Sequence, residues 1–281
     1  LVVQKPPGWR VDSEFLPGAP GAPRAQLSEY VGGLLSPRLR PILGDAAHQR
    51  GFLHRLDVPS SGLILVAKTY EAFLDLQLQL VARRLVREYA VLCHGWMPPE
   101  RCAVSAPVHW DERAGSPCVV LPRGKPSSTR LAVLAHALLC SGAAVALLAV
   151  RITTGRRHQI RVHASHVGHP VACDTAYSGV LALRGDRAWC PRNFLHRHRL
   201  VFTDAGGAVR EALAPLPEDL VASLRQVAPR DRQSEEALGT WHEASAPWAW
   251  EACRVLGARG AQRRAQAQKR AQTGVGSGTD A

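Results

Sequence analysis

The chain is poor in several features that would place it in well-known protein classes. It has one methionine, 6% aromatic residues and no Cys-x-x-Cys pair among its seven cysteines. Those cysteines, at 93, 102, 118, 140, 173, 190 and 253, are odd in number and scattered, so neither a disulfide framework nor a zinc ribbon is indicated. They read as reduced, small core residues. The longest apolar run, around Ala143 to Val150, is strand-sized, and no membrane partner is expected. Acidic residues are in deficit: 23 Asp and Glu face 35 Lys and Arg, a net charge of +12 with histidine neutral. Such a surplus favours a polyanion, most commonly nucleic acid, although charge alone does not separate RNA from DNA or an acidic membrane face. An initiator methionine is also missing, because the chain opens on Leu1-Val2-Val3-Gln4-Lys5. The natural N-terminus is therefore expected further upstream, where any signal or transit peptide would sit.

What remains is a globular composition. Hydrophobic content of 46% and charged content of 21% over 281 residues suit one large domain or two small ones. Pro and Gly density from Asp12 to Arg24 implies an exposed loop. Gly62 to Lys68 reads as a strand, and Thr69 as the N-cap of a helix whose apolar face is Leu74, Leu78, Val81 and Leu85. Val86 to Cys93 alternates, with Arg87, Tyr89 and Val91 on one side of a strand. Residues 97–126 read as hairpins and loops, and Leu131 to Leu134 and Ala143 to Thr153 as strands. Ile160, Ala164 and Val167 recur at helical spacing, which predicts a short helix from His158 to Val167, stopped by Gly168 and Pro170. Leu195 to Phe202 is a late strand and Pro217 to Val227 a final helix. A catalytic domain over 1–227 is expected, followed by a basic, Ala/Gln/Gly-rich and largely disordered tail over 228–281.

One block stands out. Phe52-Leu53-His54-Arg55-Leu56-Asp57 runs into a Pro-Ser-Ser-Gly turn just before an apolar strand. A carboxylate there sits on a rigid shelf beside a fixed cation, which keeps it ionised and aimed. The plain alternative is an Arg-Asp pair closing a surface loop. A second block is Thr154-Gly155-Arg156-Arg157-His158-Gln159-Ile160-Arg161-Val162-His163, continuing through Gly168-His169-Pro170 to Asp174 and Tyr177. With weaker echoes at Lys5-Pro6-Pro7-Gly8-Trp9, Arg87-Glu88-Tyr89 and Phe194 to Leu200, these blocks resemble the RluA-type pseudouridine synthases over residues 1–227.

The resemblance implies an α+β fold, with a curved, mainly antiparallel central sheet, flanking helices and a central cleft. It implies isomerisation of specific uridines in structured RNA, rRNA or tRNA, with no metal, no redox cofactor and no obligatory protein partner. An intracellular setting follows, in the cytoplasm or an RNA-containing organelle. Asp57 takes the catalytic position, Arg161 the arginine that pairs with it, and Tyr89 the ring that stacks on the flipped base. Arg55 would touch substrate or displace the target nucleotide. Lys5, Arg156 and Arg157 are candidate phosphate contacts, and His54 and His158 complete the RNA-binding set. Departures from the family pattern are Ser60 for threonine, Arg87 for lysine, Arg157 for threonine and Cys173 for glycine. Rival readings are a catalytically silent RNA-binding protein and an aspartate-dependent hydrolase. A zinc site from His163, His166, His169 and Cys173 is disfavoured, because Gly168 and Pro170 end the helix that would align them.

Overall fold

The computed structural model describes residues 1–12, 25–111 and 116–242. Strand β1, Val2–Lys5, is followed by helix α1, Leu27–Leu34, and two short 3-10 turns that lead to the Asp57 loop. Strand β2, Ser61–Leu65, and helix α2, Tyr70–Val81, come next, then strand β3, Val86–His94. Short strands β4, Ala103–Ser105, β5, Val108–His109, and β6, Val119–Val120, occupy the region expected to be hairpins. The long hairpin of β7, Ser128–Leu139, and β8, Ala144–Ile152, hands over to helices α3, Gln159–His166, and α4, Val180–Asp186. Strands β9, Leu195–Thr203, and β10, Val209–Leu213, precede helix α5, Glu218–Leu224, strand β11, Val227–Pro229, and helix α6, Arg232–His242.

Nine of these strands form one sheet in the order β1-β2-β9-β3-β8-β7-β11, with β10 on β9 and β4 on β7. Only the β2–β9 pairing is parallel, so the mainly antiparallel sheet implied by the resemblance is present. The central strands are covered on both faces. Tyr89, Val91, Leu148 and Val150 pack with α1, α2 and α3, while Ala90, Leu92, Leu147 and Ala149 pack with α5 and α6. Burial of a strand on both faces gives continuous apolar runs, and β3 and β8 have them. Gly62 sits where β2 crosses β9: at φ +123°, its Cβ would lie 2.3 Å from the Arg197 carbonyl oxygen. Only glycine permits that approach, and it brings the Asp57 loop against β9. Cys173, where the family pattern has glycine, has φ +54°, a conformation that explains the usual residue.

Three expectations need correction. On α2 most of the expected face is exposed: Leu74, Leu78 and Val81 retain 55%, 65% and 81% of their surface, and the buried Leu85 lies beyond the helix end. The buried stripe is Phe73, Leu76 and Gln79, with Leu80 partly buried beside it. Gln79 is held by donating to the Thr203 carbonyl at 2.8 Å and accepting from the Thr203 amide at 2.8 Å. Two apolar stripes compete on this helix, and the one containing the larger Phe73 faces the core. Second, the helix expected over Pro217 to Val227 ends at Leu224, and Val227 instead opens strand β11. Third, the boundary at 227 cuts a packed unit. Strand β11 pairs with β7, and Ala237, Leu238 and Trp241 of α6 are buried beneath the sheet. Residues 243–281, the rest of the expected tail, and most of the loop at 12–24 lie outside the described residues. Among the described residues no helix is long and apolar enough to cross a membrane.

Candidate active site

Asp57 lies in the turn between the 3-10 segment and β2. The Ser60 amide donates to its backbone carbonyl at 3.1 Å, closing the turn. The loop is gripped from several sides. Lys5 Nζ and the Gly8 amide both donate to the Val58 carbonyl, at 3.1 and 2.8 Å. Arg192 donates to the Pro59 carbonyl at 3.3 Å and to Ser61 Oγ at 3.0 Å, and is itself held by Asp219. Asn193 donates to Ser60 Oγ at 3.0 Å. A carboxylate on such a loop has little freedom to leave its place.

The second block delivers the counter-charge. Gln159 is buried at the start of α3, where its side-chain oxygen accepts from the Thr154 hydroxyl at 2.7 Å and the Arg156 amide at 3.0 Å. Its amide group donates to the Ser128 carbonyl and Thr129 Oγ1, both at 3.0 Å. The Thr-Gly-Arg turn is thereby fixed to the end of β7. Two residues along, Arg161 donates Nη1 to Asp57 Oδ2 at 2.9 Å. Its other edge forms a fork with Asp174, Nε to Oδ2 at 2.6 Å and Nη2 to Oδ1 at 2.7 Å. Asp174 is fully buried, Arg161 is 5% exposed and Asp57 is 16% exposed at its side chain. A guanidinium shared between two carboxylates suits a planar donor that stays protonated.

Burial alone would raise the Asp57 pKa, but the basic groups around it, His158 where it is protonated, Arg161 and Arg55, outweigh that effect and hold the carboxyl below its usual value. His158 itself is driven down to about 4 by burial, so its ring is neutral near pH 7. The cation bonded to Asp57 at that pH is therefore Arg161. His158 Nε2 stands 3.8 Å from Asp57 Oδ1, and its Nδ1 is 3.0 Å from the Tyr177 hydroxyl.

These groups open on a cleft of about 560 Å³ lined by Arg55, Asp57, Tyr89, Arg156, Arg157, His158 and Arg161 among others. Tyr89 is fixed by Arg197, which donates Nε and Nη2 to its hydroxyl at 2.9 and 2.6 Å. The β3–β9 register shifts between Glu88 and Tyr89, opposite Arg197, and such bulges re-aim side chains beside active sites. Arg156 is exposed at the rim, and Arg157 stacks its guanidinium 4.2 Å from the centre of the Trp110 ring.

Two expected RNA contacts sit differently. Lys5 is fully buried, donating to the Pro6, Trp9 and Val58 carbonyls at 2.8, 2.9 and 3.1 Å, so it braces the loop and does not reach the cleft. Burial lowers its pKa to about 7. His54 lines the cleft, but its Nδ1 accepts from Arg197 at 2.6 Å, and burial holds its pKa well below the usual value. It forms wall, without a charge to offer phosphate. Two of the three histidines considered for zinc are engaged structurally: His163 bonds Thr129 Oγ1 and the Ala106 carbonyl, both at 2.9 Å, and His169 the His94 carbonyl at 2.9 Å.

Asp174, Gln159, Arg192 and Arg197 are the site residues to which sequence reasoning gave no role. All four lie in or beside blocks that had been recognised, but a buried polar residue looks like a surface one until its partners are known.

Residues 1–166 match the family described as RNA pseudouridylate synthase. An uncharacterized RNA pseudouridine synthase of Chloroflexus aurantiacus is 36% identical over 218 residues, covering 75% of this chain and 63% of the relative. Ribosomal large subunit pseudouridine synthase D of Nitrosomonas europaea is 35% identical over 181 residues, 63% of this chain and 51% of the relative. The chain thus spans between half and two thirds of the length of these relatives. Among solved structures, the human RNA pseudouridylate synthase domain containing 1 protein aligns with a TM-score of 0.54 and 29% identity, covering 70% of this chain and 81% of that one. With its two blocks converging on one cleft and more than half of its sequence matched, the chain belongs to the RNA pseudouridylate synthase family.

Proposed function

We propose that this protein isomerises uridine to pseudouridine in structured RNA, with Asp57 as the catalytic carboxylate. The observation that carries the reading is the Asp57–Arg161–Asp174 chain facing an open cleft beside Tyr89. The reaction breaks the bond from N1 of the base to C1′ of the ribose, turns the base and joins C5 to C1′. C5 loses a proton and N1 gains one, so no atom or electron is gained overall and no redox partner is needed. An ionised carboxylate serves as nucleophile or as base in such a sequence, and the Arg161 pairing supports that ionised form. Arg55 and the rim arginines Arg156 and Arg157 position the strand through its backbone. The target base must leave its stack at a cost of a few kcal/mol, and stacking on Tyr89 returns about 1–3 kcal/mol of that.

Ribosomal RNA is the favoured substrate, because a relative bears the name of a ribosomal large subunit enzyme. The catalytic unit is taken to include β11 and α6, Arg232–His242. The test is to incubate unmodified large-subunit ribosomal RNA with wild type and Asp57→Asn, and to detect pseudouridine by mass spectrometry. Product is expected from wild type alone, with RNA binding retained in the variant. Equal inactivity of both on every RNA tried would turn the reading to a silent RNA-binding protein; release of free uracil would turn it to a hydrolase.

A further inference from the structure

We propose that Arg87 forms a phosphate subsite inside the cleft, one that takes a phosphodiester of the RNA strand. Arg87 stands two residues before Tyr89 on β3, on the same face, and is 3% exposed. Among the described residues its guanidinium has no carboxylate partner and no hydrogen-bond acceptor, and its Nε is fully shielded and unbonded. The other buried and half-buried arginines nearby have partners, including Arg55, whose Nε is also shielded and unbonded. Arg161 is held by Asp57 and Asp174, Arg151 and Arg199 by Glu88, Arg192 by Asp219, and Arg197 by the Tyr89 hydroxyl and backbone carbonyls.

A buried cation without a counter-charge is among the costliest arrangements in a folded chain. Burial already pulls the Arg87 pKa down to about 10, and the groups that act on it are the Tyr89 hydroxyl and another cation, Arg197. The fold tolerates this charge at the wall of a cleft, where an incoming anion reaches it. Gly155, from the second sequence block, lies over the guanidinium: a Cβ there would press on Nη1 at 3.0 Å. The glycine keeps that space clear, and the exposed Arg156 follows it.

A neutral uracil carbonyl would supply an acceptor but no charge. A phosphodiester supplies both, with two oxygens that match the planar fork of a guanidinium. The inference deepens the RNA reading above and rests on it, but its test reads binding and not turnover.

The experiment measures thermal unfolding of the full chain, and affinity from it, with inorganic phosphate, uridine 5′-monophosphate and uridine. Wild type, Arg87→Lys and Arg87→Met are compared. Phosphate and the monophosphate should stabilise wild type and, more weakly, the Lys variant. The Met variant should lose about tenfold or more of its affinity for the monophosphate, with affinity for uridine within about twofold on that scale. Without ligand it should be at least as stable as wild type, because a buried unpaired charge has been removed. An equal response of wild type and Met variant to phosphate and monophosphate overturns the subsite. So does a uridine affinity that falls as far as the monophosphate affinity, since Arg87 would then act on the base. If the Met variant does not fold, a wild type that shows no stabilisation by phosphate overturns the proposal by itself. An Arg87-dependent phosphate response without pseudouridine formation supports the subsite while refuting the isomerase reading.

Discussion

Replacing Arg161 by methionine is the most direct probe of the site, because it removes one cation from between two carboxylates while keeping an apolar side chain of similar length. Asp174 is fully buried and would be left with the Ala176 and Tyr177 amides, at 2.9 and 3.2 Å. Breaking a buried pair by deleting one partner costs about 3–5 kcal/mol, equivalent to a melting temperature lower by roughly 6–20 °C for a domain of this size. The pH dependence is more diagnostic than the size of the loss. In the wild type the Asp57 pKa is depressed, so its contribution to stability is complete above its unfolded value and disappears as pH falls through the folded one. Without Arg161 burial is opposed only by His158 and Arg55, so the folded value rises and less stability is lost as pH falls. Loss of an adjacent guanidinium moves an aspartate by about 1–3 units, or roughly 1.4–4 kcal/mol. The gap in stability between wild type and Arg161→Met should therefore narrow by about that much from pH 7 to pH 4. Urea unfolding at half-unit pH intervals measures it. A constant gap, or a total cost below about 1 kcal/mol as for an exposed ion pair, would refute the assignment of Arg161 as the counter-charge of Asp57.

Two other substitutions probe the frame around the site. The Lys5 pKa, about 7 in the folded chain, lies below its unfolded value, so between the two the unfolded chain binds the extra proton and stability rises with pH. Lys5→Met should flatten that rise, as read by urea unfolding at pH 7 and pH 9, and should lower turnover by freeing the Val58 carbonyl; an unchanged slope would place the titration elsewhere. Trp241→Ala should cost about 3–5 kcal/mol by calorimetry, because the indole is 4% exposed against the sheet. A loss under about 1 kcal/mol would return the domain boundary to residue 227.

The Asp57 turn and the start of the Arg161 helix were legible in the chain because each is local, whereas the pairing of the two residues, 104 apart in sequence, was expected only from the family resemblance. The two blocks carry Asp57 and Arg161 in fixed relation to a turn and a helix start, and those relations depend on neighbours in sequence: Pro59 and Gly62 for the turn, Gly155 and Gln159 for the helix. The apolar run of β8 was legible because burial on both faces leaves such runs, whereas β3, read as an alternating strand, is also buried on both faces. The tertiary structure decided whatever depends on a partner distant in sequence. It buried Lys5 beneath the Asp57 loop, chose Phe73 over Leu74 as the inward side of α2, and folded α6 against the sheet beyond the expected boundary. It also set Asp174 behind Arg161 and Arg197 behind Tyr89, while leaving Arg87 unmatched. A charged side chain is written the same way whether water, a carboxylate or nothing surrounds it, and the cost or benefit of its charge is fixed only when packing removes the water.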